Sequence, residues 1–368
     1  MGSRAKANRR DKIVTLRTLA AHLDLAPATI SVVLNDVPGR SIPASTRERV
    51  KAAARAFGYS PNLLAQSLRT RKTRTIGVVL PDVVDTYHAQ IVSGISNHLA
   101  RVDYFCAVLP HGYNPSLVPM HIDRLIKRGV EGLIVIDTEL DQASLVPTVA
   151  VGCSGYTAGT TVIELDHGRA AALALECVLQ GGHQRFLLVG NDGCNVHGSK
   201  LSKAVRQVAA SFGLEVRVGQ TKMIGGQCQI IEGADDLLSH RSSSLEGVKA
   251  VVALGADAAT IAIRSFSGGG VCAARDVLVV CIDSEGKSVA DSATTLIRQP
   301  LRNTGQLAAE ILFHKLNANF SVPQLITVEP EMVARTMLAP SGPKPEAPNA
   351  SAGDLLNGLL GAAADDKN

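Results

Sequence analysis

Short apolar runs alternate with amphipathic stretches over most of this chain, and that alternation restricts its fold more than any other feature. Eight β-rich runs are predicted as strands, at Ile76–Leu80, Tyr104–Leu109, Gly132–Ile136, Thr148–Val151, Phe186–Gly190, Glu215–Val218, Lys249–Leu254 and Val277–Ile282. Helical stretches lie between them, at Ala89–Leu99, Leu117–Arg128, Gly168–Leu179 and Lys200–Phe212. This order predicts parallel sheets with helices on both faces. Two such sheets in succession predict two α/β lobes, with a ligand cleft beyond the carboxyl ends of the strands.

Charge is distributed unevenly along the chain. Residues 1–75 contain 15 Lys+Arg and 4 Asp+Glu, a net charge of +11, whereas the remainder contains 22 and 29, a net charge of −7. Such asymmetry is typical of a chain with one end that meets a polyanion. Because a basic tail can also be merely solvated, charge alone leaves both interpretations open.

Composition excludes several other classes of protein. The 368 residues suggest two or three domains, and 46% hydrophobic with 19% charged residues is typical of a globular chain. No run of 18 uncharged apolar residues is present, and no apolar stretch follows the basic N-terminus, so we expect neither a membrane span nor a secretory signal. Seven cysteines without a CxxC pair or metal spacing indicate reduced thiols in a cytoplasm, with no metal site.

Residues 13–60 predict three short helices. Thr15 is a reasonable N-cap for the first helix, Asp24 can adopt the left-handed turn after it, and Pro27 can open the second. Ser45 and Glu48 predict a capping box for the third helix. The apolar faces of the three helices are formed by Leu16, Leu19, Ala20, Leu23, Ile30, Val33, Leu34, Val50, Ala53, Ala54 and Phe57.

The outward face of the second helix is built from short side chains, namely Ala28, Thr29, Ser31 and Val32. An ordinary three-helix bundle does not require small residues there. A helix that enters a DNA major groove about 12 Å wide does require them. Together with the net charge of +11, this pattern predicts a helix-turn-helix DNA-binding domain.

Six segments of the chain form a recognisable series, namely Val14-Thr15-Leu16, Ala28-Thr29-Ile30-Ser31-Val32-Val33-Leu34-Asn35, Ser45-Thr46-Arg47-Glu48-Arg49-Val50, Phe57-Gly58-Tyr59-Ser60-Pro61-Asn62, Ala65-Gln66-Ser67-Leu68 and Thr75-Ile76-Gly77-Val78-Val79-Leu80-Pro81-Asp82. In order and spacing these segments resemble the lactose/galactose repressor (LacI-GalR) family. The likeness continues through Val130–Ile134, Gly182-His183, Asp257 and Asp283 to about Leu338. It implies a helix-turn-helix domain and a hinge helix, joined to a two-lobed domain like a periplasmic binding protein, with Rossmann-like lobes.

The resemblance also implies roles in DNA binding. Phosphate contacts would come from Thr15, Thr29, Ser31, Asn35 and Tyr59, and base contacts from Pro27, Ala28 and Val32. Since those three base-reading residues are apolar, methyl contacts with thymine are the expected readout. The remaining residues expected at the DNA are Leu16, Thr46, Asn62, Ala65, Leu68 and Arg69.

A hinge is implied for residues 61–75. Pro61 to Leu68 is too short to be a stable helix alone in water. The family resemblance implies that it folds only on DNA, against its twin in a dimer, and that Leu68 wedges into the minor groove. A plain basic linker remains the alternative, because Arg69, Arg71, Lys72 and Arg74 would neutralise phosphates in either case.

The resemblance places an effector site in the cleft. Tyr87 would stack on a ligand ring, and convergent carboxylates would accept hydrogen bonds from hydroxyl groups. The residues expected there are Asp82, Asp85, Tyr87, Asp166, Lys200, Asp257 and Asp283. The chain departs from the family by placing Leu201 where an Arg is usual, although Lys200, Lys203 or His197 could substitute. Each Asp could instead be only a turn or cap residue.

The domains expected from these patterns begin with a basic arm (1–12), a DNA-binding domain (13–60) and a hinge (61–75). The effector and dimerisation domain follows (76–339), with a first lobe at about 76–179 and 299–326, a second lobe at about 180–298 and 327–339, and a disordered tail at 340–368.

Three functional hypotheses follow. The leading one is a cytoplasmic, nucleoid-associated repressor of a metabolic operon that binds a palindromic double-stranded DNA operator as a homodimer, or as a tetramer, under control of a small molecule. In the second, the DNA binder responds to a partner protein or to no ligand. The third is an enzyme or solute-binding protein with an incidental basic arm. No nucleophile elbow, Walker loop, strand-linked GxGxxG or HExxH motif is present, so we expect no catalysis and no cofactor.

Overall fold

The structure is a computed structural model, and it separates into two units, Met1–Thr73 and Arg74–Asn368. None of the helices that it describes is long and apolar enough to cross a membrane. The residues described are 14–35, 40–59, 67–68, 70–153, 158–190, 196–224, 227–232, 248–268, 277–283, 294–317 and 323–333.

The first unit contains the helices α1 (Leu16–Leu23), α2 (Pro27–Leu34) and α3 (Ala44–Ala56). Thr15 caps α1, because its hydroxyl accepts a hydrogen bond from the Thr18 backbone N–H at 3.3 Å and the Thr18 hydroxyl accepts one from the Thr15 N–H. Asp24 ends α1 in the left-handed region at φ 52°, as the sequence predicts. Leu19, Ala20, Ile30, Val33, Val50, Ala53 and Ala54 form the small core of this unit.

The start of α3 differs from the prediction. Pro43 is its N-cap and makes no side-chain cap hydrogen bond, so Ser45 is already the second helical residue and the predicted capping box with Glu48 is absent. The extended ψ of 142° at Pro43 turns the chain into the helix, which starts at Ala44, two residues earlier than a Ser45 cap would allow. Phe57, predicted to be buried, is 37% exposed and packs edge-on against His22.

The second unit begins with a six-stranded sheet in which every neighbouring pair is parallel. Its strands are β1 (Thr75–Leu80), β2 (Phe105–Pro110), β3 (Gly132–Ile136), β4 (Thr148–Val151), β5 (Thr160–Leu165) and β12 (Leu325–Val328). Their order across the sheet is β12-β5-β4-β3-β1-β2. β3 and β4 are buried throughout, which explains why their sequences are continuous apolar runs.

A seven-stranded sheet forms the other half of the second unit. Its strands are β6 (Arg185–Gly190), β7 (Glu215–Ile224), β8 (Gln227–Glu232), β9 (Ala250–Leu254), β10 (Leu278–Asp283), β11 (Thr294–Arg298) and β13 (Glu331–Val333). Their order across the sheet is β13-β11-β10-β9-β6-β7-β8. The five central strands are parallel, but β8 and β13 pair antiparallel at the edges, which the sequence did not indicate.

Helices cover the sheets and define two lobes. The first lobe combines the six-stranded sheet with α4 (Thr86–Arg101), α5 (Val118–Lys127) and α9 (Leu301–Asn317). The second lobe combines the seven-stranded sheet with α6 (His167–Gln180), α7 (Val196–Ser211) and α8 (Ala256–Gly268). The chain passes between lobes three times, between β5 and α6, between β11 and α9, and between β12 and β13.

The predicted first-lobe boundary at residue 179 is wrong for α6. Its apolar face, which includes Ala170, Leu175 and Val178, packs with Phe186 of β6 in the core of the second lobe. The strand-then-helix order along the chain suggested that α6 returns to the sheet that it leaves. The change of lobe occurs instead at Asp166, directly after β5.

Candidate functional site

The second helix of the first unit presents the side chains predicted to read DNA. Ile30 and Val33 of α2 are fully buried, whereas Pro27 and Ala28 are exposed. Thr29, Ser31 and Val32 are half-buried. The surface of α2 outside the core is therefore formed by short side chains, which is the shape that entry into a groove requires.

Several of the residues predicted to contact DNA phosphates make hydrogen bonds or packing contacts within the first unit. The Asn35 side-chain amide donates to the Ser31 carbonyl at 2.7 Å and to the Ser31 hydroxyl at 3.2 Å. Thr15 is used as the cap of α1, while Leu16 and Tyr59 pack against the core. Partial burial raises the pKa of the Tyr59 phenol. Thr46 is half-buried in the first turn of α3.

The hinge is only partly described. Ser67 and Leu68 have helical backbone, and the Leu68 side chain is 84% exposed. An apolar side chain this exposed has no packing role in the unit, so it is free to meet a partner surface. The predicted contacts at Asn62, Ala65 and Arg69 lie outside the described residues.

The cap of α2 leads to a stability prediction. Ala26 has extended backbone (φ −62°, ψ 138°) but no side chain that can accept the orphan N–H groups of the first turn. Replacing Ala26 by Ser is expected to stabilise the first unit by about 1 kcal/mol. Hydrogen exchange of the α1–α3 amides measures this change. Ala28→Ser, inside the same helix, is the matched control and is expected to give no gain; equal gains would contradict a capping effect.

In the second unit, two contacts join the lobes at the carboxyl ends of the strands. The Tyr87 ring, at the start of α4, stacks on the His197 ring of α7, with centroids 4.0 Å apart and planes inclined by 14°. One turn further along α7, Lys200 donates its Nζ proton to the Gly152 carbonyl, just beyond β4, at 2.6 Å. The sequence therefore predicted Tyr87 and Lys200 at a place where the lobes do meet.

Further polar groups complete this region. His167, the first residue of α6, contacts the His197 ring edge-on at 4.9 Å. Gln299, buried just after β11, shares a side-chain hydrogen bond with His197. His88 Nε2 and Asp137 Oδ2 are 3.2 Å apart and fully buried. We call Tyr87, His88, Asp137, His167, His197, Lys200 and Gln299 the interlobe cluster.

Gly152 is required where the cluster is tightest. It has φ +75°, and a Cβ there would overlap Asp137 Oδ1 and approach the Tyr87 hydroxyl to 3.3 Å. Asp137 is itself in the left-handed region at φ 45°. Backbone strain of this kind persists only where the surroundings enforce it, and it is common at ligand sites.

The predicted carboxylates have local roles. Asp82 and Asp85 accept backbone N–H groups of Val84 and Tyr87, at 3.1 and 2.8 Å. Asp166 caps α6 by accepting the Arg169 N–H at 2.7 Å. Asp85 and Asp166 therefore border the cluster as cap residues.

The other two predicted carboxylates lie in the second lobe. Asp257 is exposed in the first turn of α8. Asp283 ends β10, and its carbonyl accepts the Gln299 N–H at 2.8 Å. Thus Asp283 is next to the cluster through its backbone, whereas no described contact joins Asp257 to it.

Burial shifts the pKa values in the cluster. Burial, assisted by Lys200, lowers the pKa of His167 from 6.5 to about 4. Burial and the neighbouring His167 and His88 lower the pKa of His197 well below 6.5. Burial raises the pKa of Asp137, against the opposing effect of His88. At neutral pH, His167 and His197 are therefore uncharged.

Six buried polar atoms here have no hydrogen-bond partner among the described residues. They are His88 Nδ1, His111 Nδ1, Asp137 Oδ1, His167 Nδ1, His197 Nδ1 and Gln299 Nε2. Such an atom costs roughly 1–3 kcal/mol if left unpaired. A polar ligand or ordered water is the physical remedy, so this is the region of the second unit best suited to a small polar molecule.

Sequence reasoning missed most of this cluster. His88, Asp137, His167 and Gln299 were not singled out, although Asp137, His167 and Gln299 all follow the carboxyl end of a strand. Leu201, placed at the family's Arg position, is buried in the core of the second lobe, and His197 and Lys200 face the first lobe instead. Within the described part of the chain, no group of three or more His, Cys, Asp or Glu could hold a metal ion.

Known proteins are similar to this chain in sequence and in architecture. Residues 73–336 match the model of periplasmic binding proteins and the sugar-binding domain of the LacI family. Catabolite control protein A of Staphylococcus xylosus is 26% identical over 186 residues, 49% of this chain and 56% of that protein. The transcriptional repressor PurR of Haemophilus influenzae is 25% identical over 348 residues, 88% of this chain and 98% of that protein.

A solved structure is similar over the same extent. The lac repressor dimer bound to operator and the anti-inducer ONPF superimposes with a TM-score of 0.71 at 21% identity, covering 89% of this chain and 100% of that one. The fold predicted from the sequence, helix-turn-helix followed by two α/β lobes, is confirmed.

Proposed function

Because this chain belongs to the LacI family, we propose that it is a homodimeric repressor that binds a palindromic operator and is controlled by a small molecule in the interlobe cleft. The related proteins are transcriptional regulators rather than enzymes, which confirms the prediction that the chain is not an enzyme. The dimer, the operator and the regulated metabolic operon belong to the proposal.

The observation that carries the proposal is the exposed face of α2. Pro27 and Ala28 are exposed and Val32 is half-buried, beside a rigid core fixed by Ile30 and Val33. These apolar side chains match thymine methyl groups, and Thr29 and Ser31 can reach the adjacent phosphates. The charge of +11 over residues 1–75 supplies the non-specific attraction.

The unpartnered atoms of the interlobe cluster support control by a ligand. A small polar molecule that satisfies them binds one arrangement of the lobes better than another, and so shifts their equilibrium. Two proteins of similar fold provide precedents, since a lac repressor structure contains an anti-inducer and a structure of the regulator CelR contains cellobiose.

A second candidate function is DNA binding without a small-molecule effector, or with a partner protein. The Tyr87–His197 stack already fills the contact between the lobes, and Leu201 occupies the usual Arg position. Thermal melting against sugars, sugar acids and nucleosides separates the two candidates. A saturable rise in Tm supports an effector, and a panel without any shift favours the second candidate.

Salt dependence tests DNA recognition. Full-length protein is titrated with an inverted-repeat duplex and with a scrambled duplex of equal composition at several salt concentrations. The proposal predicts a steep fall of log K with log salt for both duplexes and tighter binding to the inverted repeat. Indifference to sequence together with a flat salt slope would exclude it.

Substitution of Val32 tests which face of α2 meets the bases. Val32→Arg is expected to change the preferred operator toward guanine at one position in each half-site, because guanidinium pairs with guanine O6 and N7. Since Val32 is half-exposed, the free energy of unfolding should change by less than about 0.5 kcal/mol. Sites selected from random DNA report the outcome, and identical sites for variant and parent would show that Val32 does not face the groove.

A further inference from the structure

The contact between the lobes depends on uncharged imidazoles. His197 stacks face to face on Tyr87 from the first lobe, and His167 meets its edge. Within the described part of the chain, His197 Nδ1 and Gln299 Nε2 have no partner, so the hydrogen bond between these side chains joins His197 Nε2 to the Gln299 oxygen. Because an amide oxygen only accepts, His197 Nε2 carries the proton and Nδ1 is a bare acceptor.

A proton added to His197 Nδ1 has no acceptor among the residues that the structure describes, and it joins other positive charge. Lys200 is one turn away on α7, and no described carboxylate pairs with His197. The two imidazole rings face each other, and the other charged or titratable groups around them are Tyr87, His88, Asp166 and Lys200. Two further carboxylates, Asp137 and Asp85, interact electrostatically with Tyr87, and Asp137 also bonds to His88.

Attraction between an imidazolium and the Tyr87 ring does not offset this cost. A cation over a desolvated aromatic ring gains roughly a factor of 30 in affinity, and only His197 stacks on Tyr87. Among the described residues, His167 has no such ring beneath it, and the shift of its pKa from 6.5 to about 4 corresponds to a factor of about 300 against the protonated form. Separation of the lobes relieves the cost, because water then reaches both rings.

We propose that the interlobe cluster is a proton-binding site, and that proton uptake by His167 and His197 opens the cleft. This inference rests on the proposed allosteric function, because it makes the proton act on the same lobe equilibrium as the ligand. The chain would thereby respond to acidification even without its effector.

The size of the effect follows from linkage. If both rings regain the ordinary pKa of about 6.5 once exposed, each favours the open form roughly fourfold at pH 6.0. Two rings together shift the opening equilibrium roughly 15-fold between pH 7.5 and pH 6.0. The sign is fixed, because a lowered histidine pKa in the closed form means that stability of that form is lost as the pH falls below about 6.5.

Hydrogen–deuterium exchange of the full chain at pH 7.5 and 6.0 tests the proposal. After correction for intrinsic exchange rates, the peptides that contain Tyr87 and His197 should lose protection roughly 15-fold at pH 6.0. Single variants His167→Gln and His197→Gln should each reduce this ratio to about fourfold, and the double variant should abolish it. His314→Gln, at an exposed position on α9, is the matched control and should keep the full ratio.

An unchanged ratio in the double variant, or equal protection of the wild-type peptides at both pH values, would overturn the proposal. Operator affinity at the same two pH values gives an independent arm, since it should change more in the wild type than in the double variant. If the wild-type protein did not bind DNA at either pH, the proposed function would be wrong. The hydrogen–deuterium exchange result would still test the proton-binding site by itself.

Discussion

Replacement of Gly305 by valine is expected to destabilise the first lobe by about 3 kcal/mol or more. A Cβ at Gly305 would overlap the Ile91 carbonyl, and a Cβ at Gly94 would overlap the Arg302 carbonyl. The two glycines therefore let α4 and α9 pack backbone to backbone. Because the clashing atoms belong to the main chain, no rotamer change relieves them, and the helices must separate and expose the core that they share.

Urea unfolding followed by circular dichroism measures this loss. Gly168→Ala is the matched control, since it also lies in a helix but its Cβ would approach only Asp166 Oδ1, at an ordinary 3.4 Å. That variant should unfold at the same urea concentration as the parent or a higher one, because alanine favours a helix over glycine by up to about 1 kcal/mol. Equal midpoints for the Gly305 variant and its parent would show that α4 and α9 do not pack as described.

Truncation of Leu68 is expected to weaken operator binding about 10- to 100-fold while non-specific binding stays within about twofold. Leu68 is 84% exposed in the protein alone, so its removal costs little stability. If it inserts between base pairs, burial of the side chain is worth roughly 1.5–3 kcal/mol and the bent duplex gains further contacts. Non-specific binding depends on phosphate neutralisation, which the substitution leaves unchanged.

Fluorescence anisotropy with operator and scrambled duplexes measures both affinities of Leu68→Ala. Leu145→Ala provides the control, because Leu145 is an equally exposed leucine (87%) in the second unit. It should change neither affinity. Equal weakening on both duplexes by Leu68→Ala would reject the wedge and favour a plain basic linker.

The fold was predictable because its signals are local. Buried strands such as β3 and β4 are continuous apolar runs, and Thr15, Asp24 and Pro27 mark helix ends through their own backbone and side-chain chemistry. The antiparallel strands β8 and β13 were missed because pairing direction depends on partners distant in sequence. The assignment of α6 to the wrong lobe has the same origin, since only tertiary packing shows which sheet its apolar face covers.

The cleft was predictable only in outline. Tyr87 and Lys200 were found because their positions match a family pattern. His88, Asp137 and Gln299 act together although more than 40 residues separate each from the next, and a lone histidine or glutamine carries no sign of its neighbours. The available clue was that these residues lie just after strands or at the starts of helices. That clue identifies a site only when the order of the strands in each sheet is also known.

Selection of bound sites from random duplex DNA by the full-length protein tests the central claim most directly, namely that the first unit reads DNA as paired copies. The account predicts enrichment of one inverted repeat, with thymine-rich contacts in each half-site and stoichiometry of two chains per duplex. Enrichment of no sequence, or of a single unpaired half-site bound by one chain, would contradict it.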